Sequence, residues 1–114
     1  MNPLDSVPEI DALTTHDKLQ RGEVSLLDVR EKSEFDLGHI EGSEFIPLWE
    51  LQWRWSELDK EKSWVCVCRM GSRSLYAAAL LRQAGYDAAS MEGGMLDWQA
   101  QNLPITDPGI VAPH

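Results

Sequence analysis

Cationic residues are scarce in this chain of 114 residues, which has 10 lysines and arginines against 19 aspartates and glutamates. The formal net charge of −9 opposes binding to nucleic acid or to an anionic membrane surface, so we expect neither as a partner. No apolar stretch approaches the roughly 20 residues that a membrane-spanning helix needs. Residues 1–8 lack the basic segment and apolar core of a signal peptide, which favours a cytoplasmic location.

Cysteine is also scarce, because the chain has only two, Cys66 and Cys68. Two cysteines one residue apart in a strand are poorly placed to bridge each other, and they cannot build a disulfide framework. A reducing compartment is therefore the simplest setting. The histidines show no metal-ligand spacing, so we expect neither a metal ion nor another cofactor.

Short apolar runs alternate with helical patterns along the chain, which is typical of an α/β domain with a mostly parallel sheet. One core fits this length, so we expect a single domain over 1–114, with an extended tail at 103–114. Strands are predicted at 25–29, 44–46, 64–67 and 87–91. Helices are predicted at 15–21 (N-cap Thr14 or Thr15), 31–37, 48–58, 74–84 and 95–102.

Tryptophans lie four residues apart in the predicted helix at 48–58, at Trp49 and Trp53. We interpret them as core and edge packing, because aromatic side chains dominate the buried area of small domains. A docking or dimer surface is the alternative, and the sequence leaves the oligomeric state open.

Cys68 ends an apolar run and opens residues 68–73, Cys-Arg-Met-Gly-Ser-Arg, here termed the Cys68 loop. A turn between a strand and a helix can direct its backbone N–H groups inward, and the helix N-terminus adds partial positive charge. Such a site stabilises an anion, and a thiolate is the anion that a cysteine supplies there. The alternative is a buried strand cysteine, which is our interpretation of Cys66.

Asp28 and Arg30 follow another predicted strand and are expected at the same sheet edge as Cys68, because parallel strands end together. They either orient the Cys68 loop or simply pair with each other. We favour the second, structural interpretation, since buried charges are normally paired.

Four ordered segments resemble the rhodanese family of sulfurtransferases: 26–31 (LLDVRE), 38–43 (GHIEGS), 46–48 (IPL) and 67–74 (VCRMGSRS). A fifth, 91–94 (MEGG) followed by Trp98, is similar to the family's closing motif. The resemblance covers roughly 8–102. It implies a single rhodanese-like domain whose central, mostly parallel five-stranded sheet has helices on both faces.

The resemblance also implies that Cys68 is catalytic and carries sulfur as a persulfide. The donor would be thiosulfate or a related small anion, and the acceptor a thiol, cyanide or a protein. Inward N–H groups would stabilise the sulfur anions, and the two arginines of the loop would hold the donor. The substrate-binding segment is then Arg69, Met70, Gly71, Ser72, Arg73 and Ser74.

The length and composition of the loop bear on its chemistry. Four residues separate Cys68 from Arg73, whereas related phosphatases have five, and the tighter ring disfavours a phosphate. Met70 occupies a position where the family often has a second cation, which leaves an organic persulfide or a protein partner open. The alternatives to an enzyme are a non-catalytic binding module and a sulfur relay that acts only with a protein acceptor.

Overall fold

The computed structural model describes residues 3–106, within which short strands alternate with helices. The strands are β1 (Glu9–Ile10), β2 (Ser25–Asp28), β3 (Glu44–Phe45), β4 (Ser63–Val67) and β5 (Asp87–Met91). The α-helices are α1 (Ala12–Gln20), α2 (Lys32–Asp36), α3 (Leu48–Arg54), α4 (Ser72–Gln83) and α5 (Gly94–Ala100). Two short 3-10 helices cover Pro3–Ser6 and Trp55–Glu57.

The five strands form one sheet in the order β1-β5-β4-β2-β3, and every neighbouring pair is parallel. β4 is central, since Val67 pairs with Asp28 of β2 while Cys66 pairs with Ser90 of β5. The expected α/β fold with a five-stranded sheet is therefore confirmed. Because the strands run in one direction, the residues that follow β2 and β4 lie at the same edge.

Both faces of the sheet are buried, which explains the nearly continuous apolar sequence of β4. Its consecutive residues Cys66 and Val67 belong to two separate hydrophobic clusters, one on each side. Helices α3 and α4 cover the first cluster, to which they contribute Leu51 and Leu81. Helices α1 and α5 cover the second, where Trp98 of α5 is fully buried.

Two helix starts differ from those predicted by two residues or more. Helix α1 begins at Ala12, not at Thr15, because Asp11 is the N-cap and its carboxylate accepts a hydrogen bond from the N–H of Thr14 (2.7 Å). Helix α4 begins at Ser72, two residues earlier than predicted. The last two residues of the Cys68 loop thus belong to the first turn of α4, and their N–H groups are those of a helix N-terminus.

The described part of the predicted tail, 103–106, has no helix or strand but is attached to the domain. The indole N–H of Trp98 donates to the carbonyl of Pro104 (2.8 Å), and the N–H of Thr106 donates to the carbonyl of His39 (2.8 Å). The rest of that tail, 107–114, lies outside the described residues. Within 3–106, none of the helices has the length and apolar character needed to cross a membrane.

Candidate active site

Cys68 directly follows the central strand, and its sulfur lies among hydrogen-bond donors. The backbone N–H groups of Gly71 and Ser74 point to the Sγ atom over 3.0 and 3.4 Å. The hydroxyl of Ser74 is 3.4 Å from the same sulfur and forms a 2.7 Å hydrogen bond with the hydroxyl of Ser90. Both serines are fully buried, so water does not compete for their hydroxyl groups, which are fixed in position beside the sulfur.

Helix α5 holds the outer side of the Cys68 loop. The N–H of Met95 donates to the carbonyl of Cys68 (2.8 Å), and the N–H of Leu96 donates to the carbonyl of Arg69 (3.0 Å). Both carbonyls are therefore paired with α5, while the N–H groups of Gly71 and Ser74 bond with the sulfur. Gly71 completes the turn with a φ of +106°, and a Cβ atom there would lie 3.2 Å from the backbone nitrogen of Gly93.

Asp28 and Arg30 meet at the expected edge and form a buried ion pair. The Nη2 atom of Arg30 is 2.8 Å from Oδ2 of Asp28, and its Nε and backbone N–H donate to the same carboxylate. A further bond runs from Nη2 to the carbonyl of Gly38 (2.9 Å), and this bond anchors the segment that follows α2. These contacts pair both charges within the protein, as a structural role requires.

Arg73 is paired as well, with a residue that the sequence did not single out. Its two Nη atoms donate to the two carboxylate oxygens of Glu34 over 2.7 and 2.9 Å. This pair lowers the pKa of Glu34 to about 2 and raises the pKa of Arg73, so both groups stay charged. The only local signal for Glu34 was its place three residues after Glu31, where the two form the capping box of α2.

Arg69 differs from the other two arginines of this edge because it is exposed. Within residues 3–106, no carboxylate oxygen lies within 4 Å of its guanidinium nitrogens. Its Nη1 atom is 3.8 Å from the sulfur of Met70, whose side chain is 59% exposed. The tip of the loop therefore presents one available cation and one thioether to solvent.

A cleft of about 190 Å³ lies beside the loop, and Arg69 forms part of its wall. Charged and apolar side chains share its lining, among them Arg30, Glu34, Leu37 and Leu96. Cys68 itself is fully buried, with 0% of its surface exposed. A donor therefore reaches the sulfur only when the groups that cover it move.

Ser90 and Cys66 complete the surroundings of Cys68. Sequence reasoning missed Ser90, whose only signal was a polar residue in an otherwise apolar buried strand. Cys66 is fully buried on the same face of the sheet as Cys68. Burial, with the nearby Cys68 as a smaller cause, raises the pKa of the Cys66 thiol to about 12. Cys66 is thus a structural cysteine.

Known proteins match most of this chain in sequence and fold. The chain is 36% identical over 104 residues to a sulfurtransferase of Allochromatium vinosum, covering 90% of this chain and 97% of the relative. It is 37% identical over 110 residues to an HTH-type transcriptional regulator of Mycobacterium tuberculosis, covering 91% of this chain and 48% of that protein.

The crystal structure of a rhodanese-related protein from Thermoplasma volcanium superposes with a TM-score of 0.83 at 31% identity. The match covers 87% of this chain and 97% of that structure. Residues 11–101 match the sequence model of the Rhodanese-like domain. This chain belongs to the rhodanese-like domain family.

Proposed function

We propose that this protein is a sulfurtransferase that carries a sulfane sulfur on Cys68 as a persulfide. The observation that supports this most directly is the pair of backbone N–H groups, from Gly71 and Ser74, that point to the Cys68 sulfur. Its similarity to the sulfurtransferase of Allochromatium vinosum, which it matches over nearly the whole length of both chains, favours the same class of reaction.

The reaction has two displacement steps. The Cys68 thiolate attacks the outer sulfur of a donor such as thiosulfate, the donor's S–S bond breaks, and sulfite leaves with the bonding electron pair. In the second step a nucleophile such as cyanide takes the outer sulfur of the persulfide. Thiocyanate forms, and the electron pair returns to the Cys68 sulfur. No net oxidation of the protein occurs, so neither step needs a redox cofactor.

The geometry suits the anions of this cycle. Both the thiolate and the terminal persulfide sulfur carry negative charge, and fixed N–H donors stabilise such charge without reorganising during the reaction. In the thiol form, the Cys68 Sγ donates to the hydroxyl of Ser74 over 3.4 Å. Once the thiol is ionised, that hydroxyl can donate to the sulfur instead, while its oxygen accepts from the Ser90 hydroxyl. No general base is required once the thiol is ionised.

Incubation with thiosulfate followed by intact mass spectrometry tests the proposal. We expect a gain of one sulfur atom that is lost on addition of cyanide, with release of thiocyanate. The Cys68→Ser variant is expected to gain no sulfur, whereas the matched control Cys66→Ala gains it normally. The proposal fails if thiosulfate, polysulfide and organic persulfides all leave the mass of the native protein unchanged.

A protein acceptor is the second candidate within the same chemistry. The exposed side chain of Met70, at the tip of the Cys68 loop, offers an apolar contact that a small anion does not use. In that case the Cys68 persulfide passes its sulfur to a partner's thiol and reacts poorly with cyanide. A protein that still supports its cellular role as the Cys68→Ser variant would indicate a non-catalytic binding module instead.

A further inference from the structure

Arg30, Arg69 and Arg73 lie at the edge of the sheet where Cys68 is, but their charges are not equally available. The charge of Arg30 is neutralised by its buried ion pair with Asp28. Arg73 forms its two-fold hydrogen-bonded pair with Glu34. Only Arg69, which is exposed and has no carboxylate partner among residues 3–106, retains a cationic group to offer a donor.

The three arginines and the two carboxylates that pair with them therefore leave about one positive charge. A dianion such as thiosulfate gains from two nearby positive charges, whereas a monoanion is matched by one. The second negative charge of a dianion would lack a cationic partner here, and the chain, with a formal charge of −9, repels it.

The lining of the cleft beside the loop agrees with a donor that is partly organic. Glu34 and Arg69 both line it, so the pairing of Glu34 determines the charge that an incoming donor meets. The same cleft includes Leu37 and Leu96, which are 75% and 42% exposed. Exposed apolar surface of this kind favours an alkyl or aryl substituent over another sulfonate oxygen.

We infer that Glu34 determines the charge selectivity of the site: by neutralising Arg73, it favours monoanionic organic sulfane donors, such as thiosulfonates and organic persulfides, over dianionic thiosulfate. This inference rests on the proposed function. Glu34 acts through Arg73 and is a positioning residue, because nothing in its contacts with Glu31 and Arg73 brings it to the reacting sulfur.

A pair of donors separates charge from shape. Methanethiosulfonate has a methyl group where thiosulfate has one anionic oxygen, and both present the same terminal sulfur. In each case the Cys68 thiolate bonds to that sulfur and the donor's S–S bond breaks. Its electron pair leaves with methanesulfinate or sulfite. The selectivity is the ratio of kcat/KM for thiosulfate to kcat/KM for methanethiosulfonate, each normalised to the donor's reaction with free cysteine.

The Glu34→Gln variant removes one negative charge but keeps the shape and the acceptor oxygen for the N–H of Glu31. We expect the thiosulfate-to-methanethiosulfonate ratio to rise about fivefold, because the Arg73 charge becomes available. The matched control is Glu50→Gln. Glu50 pairs with Arg54 on α3 at nearly the same exposure, 25% and 32% against 27% and 33%, so the change of net charge is identical. We expect that control to leave the ratio within about twofold.

The Arg73→Gln variant provides the opposite test, because it leaves Glu34 as an unpaired anion and should lower the same ratio. If circular dichroism shows that Glu34→Gln is unfolded, the donor ratio of Arg73→Gln tests the inference instead. An unchanged or reversed ratio in the folded variants overturns the inference. So does a native protein that prefers thiosulfate after normalisation. If neither donor adds sulfur to the native protein, the proposed function itself fails, whereas equal use of both donors removes only the selectivity.

Discussion

The backbone N–H of Met95 donates a 2.8 Å hydrogen bond to the carbonyl of Cys68, and this bond joins the last helix to the loop that follows the central strand. The neighbouring bond from Leu96 to the carbonyl of Arg69 repeats the contact one residue further along. Together they pair two loop carbonyls with α5. The chemistry at the sulfur thus depends on a helix that begins 26 residues later in the sequence.

Gly94, the first residue of α5, permits that contact, and we predict that Gly94→Ala disrupts the Cys68 loop. A Cβ atom there would lie 2.5 Å from the carbonyl oxygens of both Cys68 and Arg69, and its φ of +58° adds backbone strain. We expect a loss of about 2–4 kcal/mol in the free energy of unfolding. Chemical denaturation measures this loss, and persulfide formation should fall with it.

The control for that substitution is Gly42→Ala. Gly42 has a similar left-handed conformation, with a φ of +87°, but nothing lies within 4 Å of the added Cβ atom. The expected cost is about 1 kcal/mol from the backbone alone, with sulfur transfer unchanged. Equal losses in the two variants would show that contact with the loop carbonyls is irrelevant.

We predict that Ser74→Ala slows persulfide formation about tenfold, because it removes a fixed hydroxyl, 3.4 Å from the Cys68 sulfur, that can donate to this sulfur once the thiol is ionised. Stopped-flow measurements with a saturating donor report this step directly. Ser90→Ala should have a smaller effect, about two- to threefold, since Ser90 acts only through the hydroxyl of Ser74. A larger effect at Ser90 than at Ser74 would contradict this order.

Strands and helices with a clear local pattern of apolar and polar residues could be predicted from the sequence. The apolar run ending at Val67 predicted β4 because a strand buried on both faces needs apolar residues at every position. β1 was missed because its two residues, Glu9 and Ile10, are too few to show a pattern and are held only by pairing with β5. The predicted start of helix α4 is two residues too late. Its N-cap, Gly71, has a φ of +106° and no capping side chain, so the sequence shows no capping signal there.

The contacts that tune the site could not be predicted, because they join residues far apart in the chain. Glu34 and Arg73 are 39 positions apart, and Ser74 and Ser90 are 16 apart. A polar residue in a helical or apolar pattern carries no information about its partner until the sheet order is known. The sequence therefore indicated which loop to examine, and the fold supplied the residues that determine its charge.

Cys66 should be chemically silent, although only one residue separates it from Cys68. Its pKa of about 12 leaves fewer than roughly one thiol in ten thousand ionised at pH 7.5, and the side chain is fully buried. We predict that Cys66→Ala forms the persulfide at the native rate and costs about 1 kcal/mol of stability through the small cavity. Peptide mapping after persulfidation should place no added sulfur on Cys66, and its appearance there would refute this assignment.

The Glu34–Arg73 pair should make the free energy of unfolding decrease at low pH. The folded-state pKa of Glu34, about 2, lies below the ordinary value of 4.5, so the unfolded chain binds a proton more readily. The stabilisation is therefore complete above about pH 4.5 and is lost as the pH falls through about 2. Since this pair is partly exposed to solvent, with 27% and 33% of the two side chains accessible, we expect about 2 kcal/mol at pH 7.

Urea denaturation of the native protein and of Glu34→Gln between pH 2 and pH 7 measures that contribution. The free energies of unfolding should differ most at neutral pH and converge as the pH falls through about 2, because Glu34 then takes up a proton and becomes neutral, as the glutamine of the variant is throughout. Other carboxylates, such as Glu57, whose pKa Arg54 lowers, titrate in both proteins and cancel in the difference. A difference that stays constant across this range would mean that the charge of Glu34 contributes nothing, and that its hydrogen bonds alone hold α2 to the Cys68 loop.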